Sequence, residues 1–366
     1  MIREGKFGVQ EAVSLVAVTI SVKVFYTSPS MVARFVGTAS WYMTLISALV
    51  AVLGFTVVFL LLKRFPGKSL EGAFEASLGR TSGFIFSVIT SCYLLFVAAM
   101  QLRESSEVMK IYVLLESPLS YIVGLTAFAI IVMSFLGLET IARVCKLVVF
   151  ILLVSFIVVI LLASQNFEFH RMAPIFGHGI GNTLIHGIRR SSVYGEVIII
   201  AIIASSLQGT SHIKKAGYIS IITSGIIISA TLLTFTLTFP YYTASEVVAP
   251  IYQMVALISY GVFFERFDAV FLFIWNISTI LALTVLFYSS VSMLAKTFRI
   301  QDIRPIILPV MVIMFNTAMM PNNLIQVVLG ATQNIRDVGW IVFFVLPLAA
   351  LISAIIRERI GGKKNA

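Results

Sequence analysis

Residues 191–207 read SSVYGEVIIIAIIASSL, in which a short apolar run follows a polar segment that contains one charged residue. The apolar run extends only from Val197 to Leu207, and the charged residue is Glu196. A helix needs about 20 predominantly apolar residues to cross about 30 Å of hydrocarbon. The run is therefore too short to cross a membrane as a regular helix by itself.

A second interrupted segment lies near the start of the chain, at residues 9–28. Its uninterrupted apolar part is Leu15–Ile20, which Ser21 and Lys23 then break, and it ends at Thr27, Ser28 and Pro29. In a chain of two five-span halves, the two interrupted segments occupy corresponding positions, a pattern typical of broken helices around a small-molecule site at the membrane midplane. Because backbone that leaves a helix at this depth must face protein or water, we expect a central binding site.

The composition indicates an integral membrane protein. Of the 366 residues, 59% are hydrophobic and 11% are charged, and the mean hydropathy is +1.02, far from the values of soluble domains. Cys92, Cys145 and the histidines match no disulfide framework or metal-ligand spacing, and the sequence has no phosphate-binding loop or complete dinucleotide fingerprint. We therefore expect no enzyme, no cofactor and no metal.

Apolar runs bounded by charges, Gly or Pro predict ten membrane spans. Their lengths leave no room for a soluble domain, so we expect an all-α integral membrane protein with one transmembrane domain over residues 1–366. The spans lie at 9–28, 41–62, 81–103, 118–136, 142–163, 191–208, 216–240, 267–295, 304–320 and 338–356.

The basic residues predict the orientation of these spans. The formal charge of +10 could suggest a nucleic-acid partner, but the basic residues fall almost entirely at the ends of the spans. With the N-terminus in the cytoplasm, seventeen of the 26 lysines and arginines lie on the inner side and eight on the outer side. The positive-inside rule then favours cytoplasmic tails at 1–8 and 357–366. We therefore expect a lipid membrane as a partner of this protein, and we expect no nucleic-acid partner.

Lys23 and Glu196 are the most unusual residues, because an ionised group at the bilayer centre costs at least about 2.5 kcal/mol. One interpretation places both in the central cavity, where Lys23 meets a ligand carboxylate and Glu196 a ligand ammonium or a proton. In the other, Lys23 extends to the interface and Glu196 caps the short sixth helix. The sequence leaves both open.

Two further groups of polar residues fall inside apolar spans. Tyr93 and Val97 are four residues apart and share one helix face in the third span. In the eighth span, Asn276, Ser278 and Thr279 contact either a ligand or a neighbouring helix. Ordinary hydrogen bonds between helices remain the alternative for Tyr93 as well.

Lys146 lies near the cytoplasmic start of the fifth span. It is either a positive-inside anchor or an ion-coupling residue that replaces a sodium ion between the first and eighth helices. Two outer stretches are also open to interpretation. His178–Arg190 has the spacing of a surface helix or a docking surface, and Thr243–Asp268 could form a lid or contact a partner.

Several stretches, in this order and spacing, resemble the germination permease family, the B subunits of nutrient germinant receptors in endospore-forming bacteria. This family belongs to the amino acid–polyamine–organocation superfamily. The resemblance extends across nearly the whole chain and rests on FPGKSL at 65–70, GLETIAR at 137–143, Ala173-Pro174, YGEVIII at 194–200 and FFERFDAVFLFIW at 263–275.

The resemblance implies ten helices in a five-plus-five inverted repeat with broken first and sixth helices, here about 9–163 and 191–356. It implies a small nutrient, commonly an amino acid, bound among the first, third, sixth and eighth helices, and it implies A and C subunit partners in the inner membrane of the spore. Together with the residues discussed above, it gives these ligand-binding candidates: Ser21, Val22, Lys23, Tyr93, Val97, Tyr194, Gly195, Glu196, Val197, Ile198, Asn276, Ser278 and Thr279.

The sequence differs from the family pattern at Ser21, where glycine is usual, and at Lys23, where an uncharged residue is expected. We expect a germinant-sensing subunit that binds a small molecule and signals to partner subunits. The alternative is a proton-coupled amino-acid or amine transporter acting alone, with Glu196 or Lys146 as the titrating residue. The fold permits both functions.

Overall fold

The computed structural model describes residues 5–258 and 267–362, and its regular secondary structure there is helical. The predicted all-helical membrane protein is confirmed by seven helical stretches that are long and apolar enough to cross a membrane. These are Ser28–Arg64, Arg80–Tyr112, Leu119–Leu136, Leu138–Asn166, Thr210–Thr238, Asp268–Thr297 and Gln326–Glu358.

In the first half of the chain, short helices alternate with the long ones. They are α1 (Val9–Ser21), α2 (Ser28–Val36), α3 (Ser40–Arg64), α4 (Leu70–Leu78), α5 (Arg80–Tyr112), α6 (Leu119–Leu136) and α7 (Leu138–Ala163).

The second half contains more short helices between its long ones. They are α8 (Ile180–Arg189), α9 (Ile199–Ile202), α10 (Thr210–Thr238), α11 (Tyr241–Ala244), α12 (Pro250–Ala256), α13 (Phe267–Thr297), α14 (Arg304–Met319), α15 (Gln333–Trp340) and α16 (Leu346–Gly362).

The first predicted span is interrupted where Ser21 and Lys23 suggested, but it does not end there. After α1 the chain forms a 3₁₀ turn at Val22–Phe25 and a short non-helical link, and then resumes as α2. Pro29 lies in the first turn of α2, where its missing N–H breaks no helical hydrogen bond. The predicted end at residue 28 is therefore wrong, because a proline that would end one helix begins the next.

The sixth segment begins earlier than predicted. Helix α8 continues directly into a 3₁₀ segment at Arg190–Ile198, followed by α9. Gly187 of α8 lies against α3: its carbonyl accepts a hydrogen bond of 2.7 Å from the Ser47 hydroxyl, and a Cβ there would lie 2.8 Å from Ile46. The predicted start at residue 191 is therefore wrong, since the expected surface helix is the first part of the interrupted sixth segment.

The third and last helices are also longer than predicted. Helix α5 continues to Tyr112, and within it Arg103 and Glu107, one turn apart, pair with each other at 2.8 Å. The last helical path begins at Gln326, twelve residues before the predicted start at 338. It contains two π-helical segments, Gln326–Thr332 and Ile341–Val345, on either side of α15. Such insertions are frequent at functional sites.

Helix α1 lies at the centre of the molecule, in contact with α7, α10 and α13. Small polar residues join the inner helices; for example, the Ser91 hydroxyl of α5 donates to the Ser290 carbonyl of α13 at 2.8 Å, and the Ser290 hydroxyl returns the bond to Ser91. The outer faces of α3, α6 and α7 expose large apolar side chains such as Leu53, Phe128 and Phe150. This arrangement suits a lipid-facing exterior with small residues between helices.

Candidate ligand site at the two helix interruptions

The interruptions of the first and sixth segments lie against each other. The Lys23 ammonium, in the 3₁₀ turn after α1, donates a hydrogen bond of 2.6 Å to the Val193 carbonyl in the 3₁₀ segment after α8. It also forms an ion pair with Glu196 of the same segment. Both side chains are more than nine-tenths buried. A buried charge needs a partner of this kind, so the pair joins the two interruptions directly.

A second carboxylate holds the other end of the first interruption. Glu104 of α5 accepts hydrogen bonds from the Thr27 backbone N–H, at 3.1 Å, and from the Thr27 hydroxyl. Thr27 precedes α2, and Glu104 is 6% exposed. The Tyr26 hydroxyl next to it donates to Thr279 of α13 at 3.1 Å. The non-helical link is therefore anchored by side chains from two neighbouring helices.

A cavity of about 610 Å³, part of it open to solvent, lies between the two interruptions, α5 and the start of the last helix. The lining combines apolar side chains with an unusual number of charges. It consists of Lys23, Tyr26, Thr27, Ser28, Met31, Tyr93, Val97, Met100, Gln101, Glu104, Arg190, Ser192, Glu196, Val328, Thr332, Gln333, Ile335 and Arg336.

Two arginines in this lining have unused hydrogen-bond donors. Arg190 is 6% exposed and lies 5.0 Å from the centroid of the Phe35 ring. Its Nε and Nη1 have no hydrogen-bond partner among the described residues, and neither does the buried Nε of Arg336. Arg336 lies within electrostatic range of Arg190, Lys23 and Glu104.

Three neutral polar groups on the cavity lining are also unpaired within the described part of the chain. They are the hydroxyls of Ser192 and Thr332 and the amide nitrogen of Gln101. Buried polar groups are usually hydrogen-bonded, so a group of unpaired ones around a cavity indicates a site for a polar ligand or for water.

Four of the residues predicted from the sequence line this cavity together: Lys23, Tyr93, Val97 and Glu196. The Tyr93 hydroxyl donates to the Ile335 carbonyl at 2.8 Å, and its ring lies edge-on to Phe343, 5.2 Å between centroids. Tyr93 therefore contacts both the cavity and the last helix.

The remaining residues of the first and sixth segments lie outside the lining. Ser21 borders a separate apolar crevice between α1, α7 and α10. The Tyr194 hydroxyl bonds to Thr44 of α3 at 2.7 Å. Gly195 lies against the Phe343 ring, and a Cβ there would lie 1.8 Å from a ring carbon. The other three are buried apolar residues: Val22, Val197 and Ile198.

The polar residues of the eighth span also lie beside the cavity rather than on it. The Ser278 hydroxyl donates to the Ile274 carbonyl of its own helix at 2.8 Å. Thr279 accepts from Tyr26, and Asn276 is half-buried. The structure thus does not bring these three residues into the lining. Among them, only Thr279 contacts a lining residue, Tyr26.

Lys146 does not line the cavity. Its ammonium pairs with Glu11, at the start of α1, at 2.7 Å, and the Lys146 side chain is 46% exposed. The ion pair joins α7 to α1 at a solvent-accessible position.

The long outer connection is only partly described. Within Thr243–Asp268 the chain forms α12, where Gln253 donates to the Tyr112 hydroxyl of α5 at 3.1 Å. Residues 259–266 lie outside the described residues, and so does the first part of the stretch 263–275.

Sequence reasoning missed the arginines and Glu104 because it interpreted charges near span ends as markers of the interface. The sequence pattern predicts a surface helix around Arg190 and an outer connection around Arg336, and it ends the third span just before Glu104. The detectable signal was charge spacing: Arg103 and Glu107 are four residues apart, as in a continuing helix.

The chain is similar to spore germination proteins. A family profile described as "Spore germination protein" matches residues 9–327. Spore germination protein YndE of Bacillus subtilis (strain 168) is 23% identical over 328 residues, covering 87% of this chain and 88% of YndE. Spore germination protein A2 of the same organism is 23% identical over 376 residues, covering 98% of each chain.

Solved transporter structures share the fold. Mhp1, a nucleobase-cation-symport-1 family transporter, superposes with a TM-score of 0.67 at 14% identity, over 92% of this chain and 76% of Mhp1. A mutant of the Eremococcus coleocola manganese transporter gives 0.58 at 15% identity, over 93% of this chain and 78% of that transporter. At such identities the match concerns the fold alone, which is the LeuT type with its inverted repeat. Because the family profile covers most of its length, this multi-pass membrane chain belongs to the spore germination permease family, which is not an enzyme family.

Proposed function

We propose that this chain is the B subunit of a spore germinant receptor, which senses a nutrient by binding a small molecule, an amino acid, in the cavity between the two helix interruptions. The observation that carries the proposal is the ion pair between Lys23 and Glu196 beside that cavity. Two interrupted helices joined by a buried charge pair form an element that a ligand can rearrange. The names of the relatives, spore germination proteins A2, B2 and KB, support the physiological context.

We place the subunit in the inner membrane of the spore, with ten passes and both termini in the cytoplasm. In this arrangement the repeats are about 9–163 and 191–356, α1 lies in the cytoplasmic half of the membrane, and α2 in the outer half. The half-buried residues of the cavity lining, among them Ser28, Gln333 and Arg336, then lie towards the outer side, while Lys23 and Glu196 lie deeper. A ligand would enter from outside.

Signalling in this proposal is a shift between two arrangements of the helices. A ligand changes such an equilibrium only by binding one arrangement more tightly than the other. A ligand that contacts both interruptions and the last helix would favour the arrangement in which these elements lie together. The A and C subunits of the receptor would then respond to that arrangement.

The alternative is a proton-coupled amino-acid or amine transporter acting alone, with Glu196 or Lys146 as the titrating residue. The shared fold with Mhp1 and the manganese transporter favours this alternative. A transporter must open its cavity on both sides in turn, whereas a sensor needs one opening.

One experiment separates the two functions. The purified chain is screened for thermal stabilisation by amino acids, sugars and nucleosides, because a ligand that binds the folded state raises its stability. Each stabilising compound is then tested for uptake into proteoliposomes with and without a pH gradient. We expect binding without accumulation; accumulation driven by the gradient would establish the transporter instead.

A further inference from the structure

The charges around the cavity are unequal. Three lining residues are basic, Lys23, Arg190 and Arg336, and two are acidic, Glu104 and Glu196. With all five ionised, the lining carries one net positive charge. Asp337 also lies within electrostatic range of Arg190, but it is exposed and does not line the cavity, so solvent screens its effect.

Existing contacts use some of these charges and leave others available. Lys23 and Glu196 neutralise each other in their ion pair. Glu104 accepts two hydrogen bonds from Thr27 but forms no ion pair within the described part of the chain. Arg190 and Arg336 keep donors that none of the described residues accepts. The available groups are therefore two guanidiniums and one carboxylate.

The position of Arg190 favours an acidic ligand over water as the partner of its donors. Its side chain is more than nine-tenths buried, and its guanidinium is held over the Phe35 ring. Guanidinium groups bind carboxylates through two parallel hydrogen bonds, and these charge-assisted bonds are stronger than neutral ones. A buried cation without an anion is costly, so a ligand that supplies one is favoured.

From this complementarity, and resting on the proposed function, we propose that the ligand is an acidic amino acid, with its two carboxylates on Arg190 and Arg336 and its ammonium on Glu104. The net charge of such a ligand is −1, which neutralises the excess positive charge of the lining. Ser192, Gln101 and Thr332 provide further polar groups for the carboxylate oxygens or bridging water. Arg336 lies beyond residues 9–327, which the family profile matches.

The test compares ligands that have the same shape but different charge. Thermal stabilisation of the purified full-length chain is titrated with L-glutamate and L-glutamine, and with L-aspartate and L-asparagine. We expect at least one acid to bind about tenfold or more tightly than its amide, as the loss of one charge-assisted contact implies. Equal binding of acid and amide, or tighter binding of the amide, would overturn the inference.

Variants assign the preference to the arginines. Of Arg190→Gln and Arg336→Gln, the variant that changes the arginine holding the side-chain carboxylate should bring the ratio of acid to amide affinity close to one. The other variant, which changes the arginine holding the α-carboxylate, should weaken acid and amide alike. Arg189→Gln, the same change at the exposed neighbouring residue, is the matched control and should keep the full ratio. If the ratio survives both cavity variants, the inference is wrong. If Arg190→Gln fails to fold, the Arg336→Gln variant and the comparison of acids with amides in the unmodified protein still test the inference.

The role of Glu104 is tested with succinate, which has two carboxylates and no ammonium. Succinate should bind at least about tenfold more weakly than the preferred acid, and equal binding would overturn the assignment of the ammonium to Glu104. Failure of the inference remains distinct from failure of the proposed function. Stabilisation by neutral amino acids alone overturns the acidic selectivity but retains the amino-acid sensor, whereas a full amino-acid panel without any stabilisation overturns both.

Discussion

The Lys23 ammonium, in the interruption of the first helical segment, pairs with the Glu196 carboxylate in the interruption of the sixth. The residues are 173 positions apart, and each side chain is less than 8% exposed. Lys23 therefore does not extend to the membrane interface, and Glu196 does more than cap a helix. The pair holds together the two segments at which the backbone leaves the α-helix.

We predict that breaking this pair destabilises the protein more than removing it. Lys23→Met leaves Glu196 buried without a cation and should lower the free energy of unfolding by about 3–5 kcal/mol. Glu196→Gln should have a comparable effect. In the double variant the two losses should be far from additive, which thermal unfolding in detergent can measure as a double-mutant cycle. Additive losses would show that the two residues do not interact.

The contact between Gly195 and Phe343 predicts a second effect. Gly195→Ala would place a methyl group 1.8 Å from the ring, and forced overpacking typically costs about 1–3 kcal/mol. Phe343→Leu should recover part of that loss in the double variant. The control is Gly181→Ala in α8, where a Cβ meets no atom within 4 Å, so its melting temperature should not fall. An unchanged melting temperature for Gly195→Ala would contradict the packing described.

The bond from Thr27 to Glu104 can be tested with an isosteric change. Thr27→Val removes the hydroxyl donor and leaves the backbone N–H, and a buried acceptor that loses a donor costs about 1–3 kcal/mol. Thr19→Val is the matched control, because the Thr19 hydroxyl donates within its own helix to Leu15. The comparison uses chemical or thermal unfolding of both variants. Equal losses would mean that the bond to Glu104 has no special importance.

Lys146→Gln should have little effect. The ion pair of Lys146 with Glu11 is partly exposed, and such pairs contribute at most about 1 kcal/mol, less at high salt. We expect a melting temperature close to that of the unmodified protein and unchanged ligand stabilisation. A variant that folds normally but loses ligand binding, or loses uptake driven by a pH gradient, would instead support ion coupling through Lys146.

The sequence predicted the interruptions because Ser21, Lys23 and Glu196 are unfavourable inside an apolar helix. It did not predict how the helices continue beyond them, because Pro29 and Arg190 resemble helix ends in a linear sequence. Pro29 is instead accommodated in the first turn of α2, and Arg190 is buried over Phe35. Only the folded chain reveals these partners.

The same reason explains the incomplete candidate site. Hydropathy distinguishes membrane-spanning segments from solvent-exposed ones. It does not distinguish an arginine at an interface from one that lines a cavity between helices. Arg336 lies in α15 between two π-helical segments, which no apolar pattern predicts. Lys23, Tyr93, Val97 and Glu196 were predicted because they interrupt or share the face of apolar helices, which is a property of local sequence.

The most direct test of the binding site fills the cavity. Val97 lines it and is 9% exposed, so in Val97→Phe the larger side chain should occupy the space of the ligand. Val132→Phe, on the exposed apolar face of α6, is the control. The measurement is thermal stabilisation by a panel of amino acids. The account predicts that Val97→Phe folds but loses the stabilisation that the unmodified protein and Val132→Phe retain, whereas undiminished stabilisation of Val97→Phe would place the ligand elsewhere.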